Sequence, residues 1–155
     1  MSSLFDSLES KSARARLEWA VNEYGESLLF TSSFGAGSAV LLKLWSDVAR
    51  GLPIVFLDTG FHFNETLEYR DRMINLLGLH VEVIRPEVPA KRFLAIHGDD
   101  IQKRNSDLCC GENKVAPLKP SLVGKRGWIS GLRRDQSQSR GNVPIALPTQ
   151  DGVVK

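Results

Sequence analysis

Apolar positions recur along the chain with two different periods, and the switches between them mark out its elements. From Lys11 to Tyr24 the residues Ala13, Leu17, Ala20, Val21 and Tyr24 fall on one face of a helix. "ESLLFTS" is a continuous apolar run and predicts a buried strand. The loop "TSSFGAGS" then leads into a helix near Ser38 to Ala49, where Val40, Leu41, Leu44, Trp45 and Val48 return at helical spacing. "PIVFLDTG" predicts a second strand. "FNETLEYRDRMINLLG" predicts a helix with Asn64 as its N-cap, a stripe of Leu67, Ile74 and Leu77, and Gly78 as its stop. "HVEVIRP" is a third strand, ended by Pro86.

The later part is less regular. "PAKRFLAIHG" predicts a short helix, and "DDIQKRNSD" reads as a mobile surface loop. "GENKVAPLKPSL" puts Val115, Leu118 and Leu122 on one helical face, but Pro117 and Pro120 argue against an unbroken helix. "GWISGL" predicts another strand, "VPIALPT" one more, and "GVVK" resembles the start of a strand. Strands alternating with helices predict an α/β fold, a Rossmann-like parallel sheet with helices on both faces. Right-handed crossovers bring the loops after the strands to one edge, where ligands of open α/β sheets bind. Ser32 to Ser38 and Asp58 to Asn64 should therefore share a crevice.

Composition narrows the class without choosing a function. The chain has 155 residues, 42% hydrophobic and 25% charged, as in a single globular domain. A net charge of +2 does not call for nucleic acid, and "GLRRDQSQSR" gathers three arginines into a patch that suits a small anion. No run reaches membrane-spanning length and no signal-peptide pattern opens the chain, so a cytoplasmic protein is expected. The two cysteines are the neighbours Cys109 and Cys110. Adjacent Cα atoms lie about 3.8 Å apart, below the disulfide minimum of about 4.4 Å, so these do not form a structural disulfide.

Four stretches could carry chemistry. Thr31, Ser32, Ser33, Gly35, Gly37 and Ser38 form a small-residue loop before a helix, able to bind an anion through amides and hydroxyls or to serve as a plain turn. No Walker lysine follows it. Asp58, Thr59 and Gly60 could reach a base or ribose, or simply cap their turn. Arg133, Arg134 and Arg140, with Ser137 and Ser139 among them, could clamp phosphate or sulfate by paired hydrogen bonds. Cys109 and Cys110 could ligate iron, with Lys114 nearby to favour thiolates. His62, His80 and His97 have no visible partners and read as packing or solvated side chains.

Taken together, "SSFGAGSAVLL", "VFLDTGFHFNETLEYRD", "CCGENKVAPL" and "GLRRDQSQSR" resemble the assimilatory sulfonucleotide reductases from about Leu28 to Lys155. These are the adenylyl sulfate and phosphoadenylyl sulfate reductases. The resemblance implies a fold of the adenine-nucleotide α-hydrolase type. It places a sulfonucleotide against Ser32, Ser33, Phe34 and Gly35, with adenosine near Leu57, Asp58, Thr59 and Gly60. Lys114 and Arg140 would approach the phosphosulfate, and Arg133 and Arg134 would give electrostatic support.

The CC pair resembles the adenylyl sulfate subclass, implying a 4Fe-4S cluster with Cys109 and Cys110 as two of its four ligands. The implied chemistry belongs to sulfate assimilation: thiolate attack on the sulfate sulfur, departure of AMP, and release of sulfite by thioredoxin or a similar dithiol. The family's second cysteine pair and its nucleophilic cysteine have no counterpart here, so no catalytic residue is expected in this chain. It is expected to be one sulfonucleotide-binding domain lacking a C-terminal portion. Phosphoadenylyl sulfate reduction, an ATP pyrophosphatase-like ligase and a non-catalytic nucleotide-binding module remain alternatives. A homo-oligomer stays open. Gly37 stands where such a ligase would carry an acidic residue.

Overall fold

The computed structural model describes residues 2–149 and 152–155. Its elements, in chain order, are α1 (Ser2–Glu9), α2 (Ala13–Tyr24), β1 (Leu28–Thr31), α3 (Ala39–Val48), β2 (Ile54–Leu57), α4 (Asn64–Leu77) and β3 (Val81–Ile84). There follow α5 (Ala90–His97), α6 (Ile101–Arg104), α7 (Ser106–Cys110), α8 (Ala116–Leu122) and β4 (Gly127–Ser130). All strand pairs are parallel, in the order β3-β2-β1-β4. The chain thus winds outward from β1 to β3 and then returns to place β4 on the other side of β1. That reversal makes a topological switch point between β1 and β4.

Alternation along the strands separates the two faces of the sheet. Leu28, Phe30, Ile54 and Phe56 lie on one face and pack with Leu17 and Ala20 of α2, Leu42 and Trp45 of α3, and Met73 of α4. Leu29 and Val55 occupy the other face and are also buried. Gly127 pairs with Leu28 across the β1–β4 ladder. A Cβ there would meet Tyr24 Cδ2 at 2.5 Å and Leu28 Cδ1 at 2.8 Å, so glycine lets α2 close over β4.

Several expectations are corrected. Asn64 does not cap α4: Phe63 holds the cap position with no side-chain hydrogen bond, and Asn64 is the first helical residue. Gly78 ends that helix in the left-handed region, as the pattern predicted. "DDIQKRNSD" is mostly helical, because Ile101 is buried and the Asn105 side chain caps the amide of Leu108 at 3.0 Å. The two prolines do not interrupt the following helix, which passes through a π-helical turn at Gly111–Val115 into α8. There the Ala116 amide donates to Gly111 O, five residues back, and this wider turn accommodates Pro117, which has no amide proton to donate. "VPIALPT" forms no strand. Pro148 makes an isolated antiparallel bridge to Val154, which itself bridges in parallel to Gly127.

Candidate functional site

At the switch point the loops after β1 and β4 face each other across a cavity of about 1480 Å³. The first loop is built tightly. Ser32 N–H donates to Val55 O at 3.1 Å, and Phe34 N–H to Ser32 Oγ at 3.1 Å. Gly35 O accepts from the Ser38 amide at 2.9 Å and from Ser38 Oγ at 2.6 Å. Phe34 has a left-handed backbone, φ 50°, and its ring packs edge-on against Phe56 with centroids 5.7 Å apart. The core thus holds the loop by its middle residue, while Ser32, Ser33, Gly35, Gly37 and Ser38 line the cavity. Thr31 Oγ1 accepts from Trp128 Nε1 at 2.9 Å, tying the roots of the two loops together.

The loop after β2 contributes less than expected. Leu57 and Thr59 line the cavity, with Phe61, His62 and Phe63 beyond them. Asp58 turns instead to structural partners, accepting from the Gly60 amide at 3.1 Å and from Arg85 Nε at 3.1 Å. Gly60 has φ 75° and packs on Ala90, where a Cβ would come within 2.9 Å. His62 Nε2 pairs with Leu57 O at 2.9 Å, and its ring lies 5.0 Å from Phe56.

The helical segment after α6 brings Cys109, Cys110, Asn113 and Lys114 to the same cavity. Asn113 is only 2% exposed; its Nδ2 donates to Cys109 O at 3.0 Å and lies 3.9 Å from Cys109 Sγ. Its Oδ1 is buried without a hydrogen-bond partner. Among the described residues no group of three His, Cys, Asp or Glu could hold a metal ion. The two thiols therefore match half of a four-thiolate donor set and do not complete one.

Arg133 and Arg134 line the cavity, but Arg140 does not. Arg134 is largely committed: Nε donates to Val143 O at 2.9 Å and Nη2 to Glu9 Oε1 at 2.6 Å. Glu9 also accepts from the Ile145 amide at 3.2 Å. The hydrogen bond from Arg134 holds the Glu9 carboxyl below its usual range, and Glu9 in turn raises the Arg134 guanidinium. Arg140 Nη1 donates to Gln136 Oε1. The Lys155 ammonium, also in the lining, sits 3.9 Å from the Trp128 ring centroid, and burial lowers its pKa.

Among the described residues the cavity is lined by five basic side chains, Arg16, Lys114, Arg133, Arg134 and Lys155, and by no Asp or Glu, although Asp135 and Glu9 bond Arg133 and Arg134 from outside the lining. Of the predicted site residues, Ser32, Ser33, Gly35, Leu57, Thr59, Cys109, Cys110, Lys114, Arg133 and Arg134 are brought together. Phe34, Asp58, Gly60 and Arg140 stand behind or outside the lining. Asn113 and Trp128 were not anticipated. Asn113 carried a usable signal, an amide placed between a cysteine pair and a lysine. Trp128 read as an ordinary strand aromatic.

The phosphoadenosine phosphosulfate reductase domain family matches residues 27–152. An adenosine 5'-phosphosulfate reductase of Bacillus velezensis is 40% identical over 133 residues, 85% of this chain and 57% of that protein. Adenosine 5'-phosphosulfate reductase 2 of Bacillus subtilis is 41% identical, over 82% of this chain and 54% of its own length. The chain thus spans little more than half the length of these curated relatives. A crystal structure of phosphoadenylyl-sulfate reductase from Candida auris, a phosphate complex, superposes with a TM-score of 0.81. It covers 99% of this chain and 75% of its own at 24% identity, and so shares the fold.

Proposed function

The chain belongs to the phosphoadenosine phosphosulfate reductase domain family, and from that premise we propose that it forms the sulfonucleotide-binding part of a thiol-dependent adenylyl sulfate reductase. The observation that carries this reading is the cavity lining: serine and glycine backbone at a switch point and five basic side chains, with no Asp or Glu among the lining residues. Such a lining favours an anion taken directly onto amides, hydroxyls and guanidinium groups. Magnesium-bound nucleotides are usually held through one or two carboxylates as well as phosphates. An ATP-splitting ligase is therefore the poorer fit.

In this reading Ser32, Ser33 and Gly35 take the phosphosulfate, Lys114 and Arg133 balance its charge, and Leu57 and Thr59 border the adenosine. A cysteine thiolate forms a bond to the sulfate sulfur while the sulfur–oxygen bond to AMP breaks. A dithiol of the thioredoxin kind then reduces the resulting thiosulfonate to sulfite and free thiol, and is itself oxidised to a disulfide. Cys109 and Cys110, the only cysteines of the sequence, are assigned to an iron–sulfur cluster. The attacking cysteine is thus not among these residues. Among the described residues no helix is long and apolar enough to cross a membrane.

Calorimetry of the purified chain tests the reading. Adenylyl sulfate should bind at least about tenfold more tightly than its 3′-phosphorylated form, a difference of about 1.4 kcal/mol. The reverse preference would assign the phosphoadenylyl sulfate subclass. Magnesium-dependent release of pyrophosphate from ATP would overturn the reading altogether.

A further inference from the structure

The loop after β2 gives the cavity aromatic rings and no lysine or arginine. Phe61, His62 and Phe63 line it there, beside Leu57 and Thr59. The five basic side chains come from α2, the π-helical turn before α8, the loop after β4 and the end of the chain. A nucleotide has an anionic end and an aromatic end, so its base matches the β2 side of the cavity. Phe63 is 78% exposed, a large ring left without cover at that wall.

His62 is the polar member of this group, and its ring is held in one orientation. It packs on Phe56, which is fully buried, with centroids 5.0 Å apart. Its Nε2 lies 2.9 Å from Leu57 O. A carbonyl oxygen only accepts, so Nε2 carries the proton, and in the neutral ring Nδ1 is a lone-pair acceptor. No protein donor reaches Nδ1 among the described residues. Nor is Nδ1 one of the buried side-chain atoms left without a partner, so it is open to an incoming group. The ring cannot exchange these roles without setting the Nε2 lone pair against the Leu57 oxygen.

We propose that His62 determines the base specificity of the cavity. Its Nδ1 accepts from the exocyclic amine of a 6-aminopurine and rejects a 6-oxopurine, whose oxygen would face the same lone pair unpaired. The Leu57 carbonyl sets that polarity by holding the tautomer. The basic side chains cannot make this distinction, since adenine and hypoxanthine nucleotides carry the same phosphates. The inference deepens the proposed function and rests on it for the identity of the nucleotide.

Calorimetry on the full chain at about pH 8, where imidazole is ordinarily neutral, tests it with AMP and IMP. The wild type should bind AMP about tenfold more tightly than IMP. H62F keeps an aromatic ring on Phe56 but lacks both nitrogens, and should bring the ratio to about one by weakening AMP. Nitrogen NMR of the wild-type histidines gives a measurement that does not depend on how a variant folds. The His62 ring should be in the Nε2–H form, and its Nδ1 should take up a hydrogen bond with AMP and none with IMP.

Equal binding of AMP and IMP by the wild type would overturn the proposal. So would a preference that H62F retains, or a neutral His62 ring protonated on Nδ1. Adenylyl sulfate is titrated alongside: if it binds no more tightly than AMP, the sulfonucleotide reading fails while the base assignment stands. Adenylyl sulfate bound more tightly than AMP, with a base preference that H62F leaves untouched, would do the opposite.

Discussion

The loops after β1 and β4 face one another across the same crevice, yet they are held in place by different physics. The first is anchored by burial. Phe34, at its centre, is 1% exposed and keeps a left-handed backbone that a bulky residue adopts only when its surroundings compel it. The second has no buried residue between Gly131 and Thr149. Its shape rests on Arg133 with Asp135, Arg134 with Glu9 and Val143, and Arg140 with Gln136. Burial is indifferent to salt and to pH near neutrality, whereas exposed charges respond to both. The crevice therefore joins a fixed wall to a tunable one.

The largest effect should come from breaking the fixed wall. Phe34→Ala removes a fully buried ring from contact with Phe56 and should cost about 3–5 kcal/mol of stability in urea unfolding. A loss below about 1 kcal/mol would show that the loop's anchor lies elsewhere. Next in size is the link between the walls. Trp128→Phe keeps an aromatic side chain, though a smaller one, and removes the donor to Thr31 Oγ1. It should cost about 1 kcal/mol and weaken adenylyl sulfate binding, because both loops spring from this pair of strands. Unchanged affinity would mean that the two loops are positioned independently.

The same division explains what could be read from the sequence. Burial leaves a periodic trace, so the four strands, the helices packed on them and the stop at Gly78 were all legible. Charged contacts between distant residues leave none. Nothing in "SLES" near the N-terminus announces that Glu9 would reach Arg134 and Ile145. Residue type shows the capacity of Asp58 and Arg140 to meet a ligand, but it could not announce the protein partners that each has in the structure, Arg85 and Gln136. Gly37 reads as small, and nothing around it in the sequence places the Arg133 side chain beside it, since Arg133 arrives 96 positions later in the chain. The π-helical turn escaped notice because two prolines argue against a regular helix and cannot signal a widened one.

The smallest effect should appear at the tunable wall, where its sign is fixed by Glu9. The hydrogen bond from Arg134 lowers the folded pKa of Glu9 below the ordinary 4.5. A depressed carboxyl pKa contributes stability that is present above the unfolded value and is lost as pH falls through the folded one. Ile145 reports on this directly, because its amide donates to Glu9 Oε1. At neutral pH, hydrogen exchange at Ile145 should be slower in the wild type than in Glu9→Ala. The ratio of the two rates should stay constant from neutrality down to the carboxylate range and approach one below pH 4.5. Raising salt at neutral pH should narrow the gap as well, since both partners are exposed to solvent. Protection at Phe34, held by burial, should not change in either titration over the range where the domain stays folded. If both amides lose protection together, the two walls form one cooperative unit, and the distinction between burial and charge fails at this crevice.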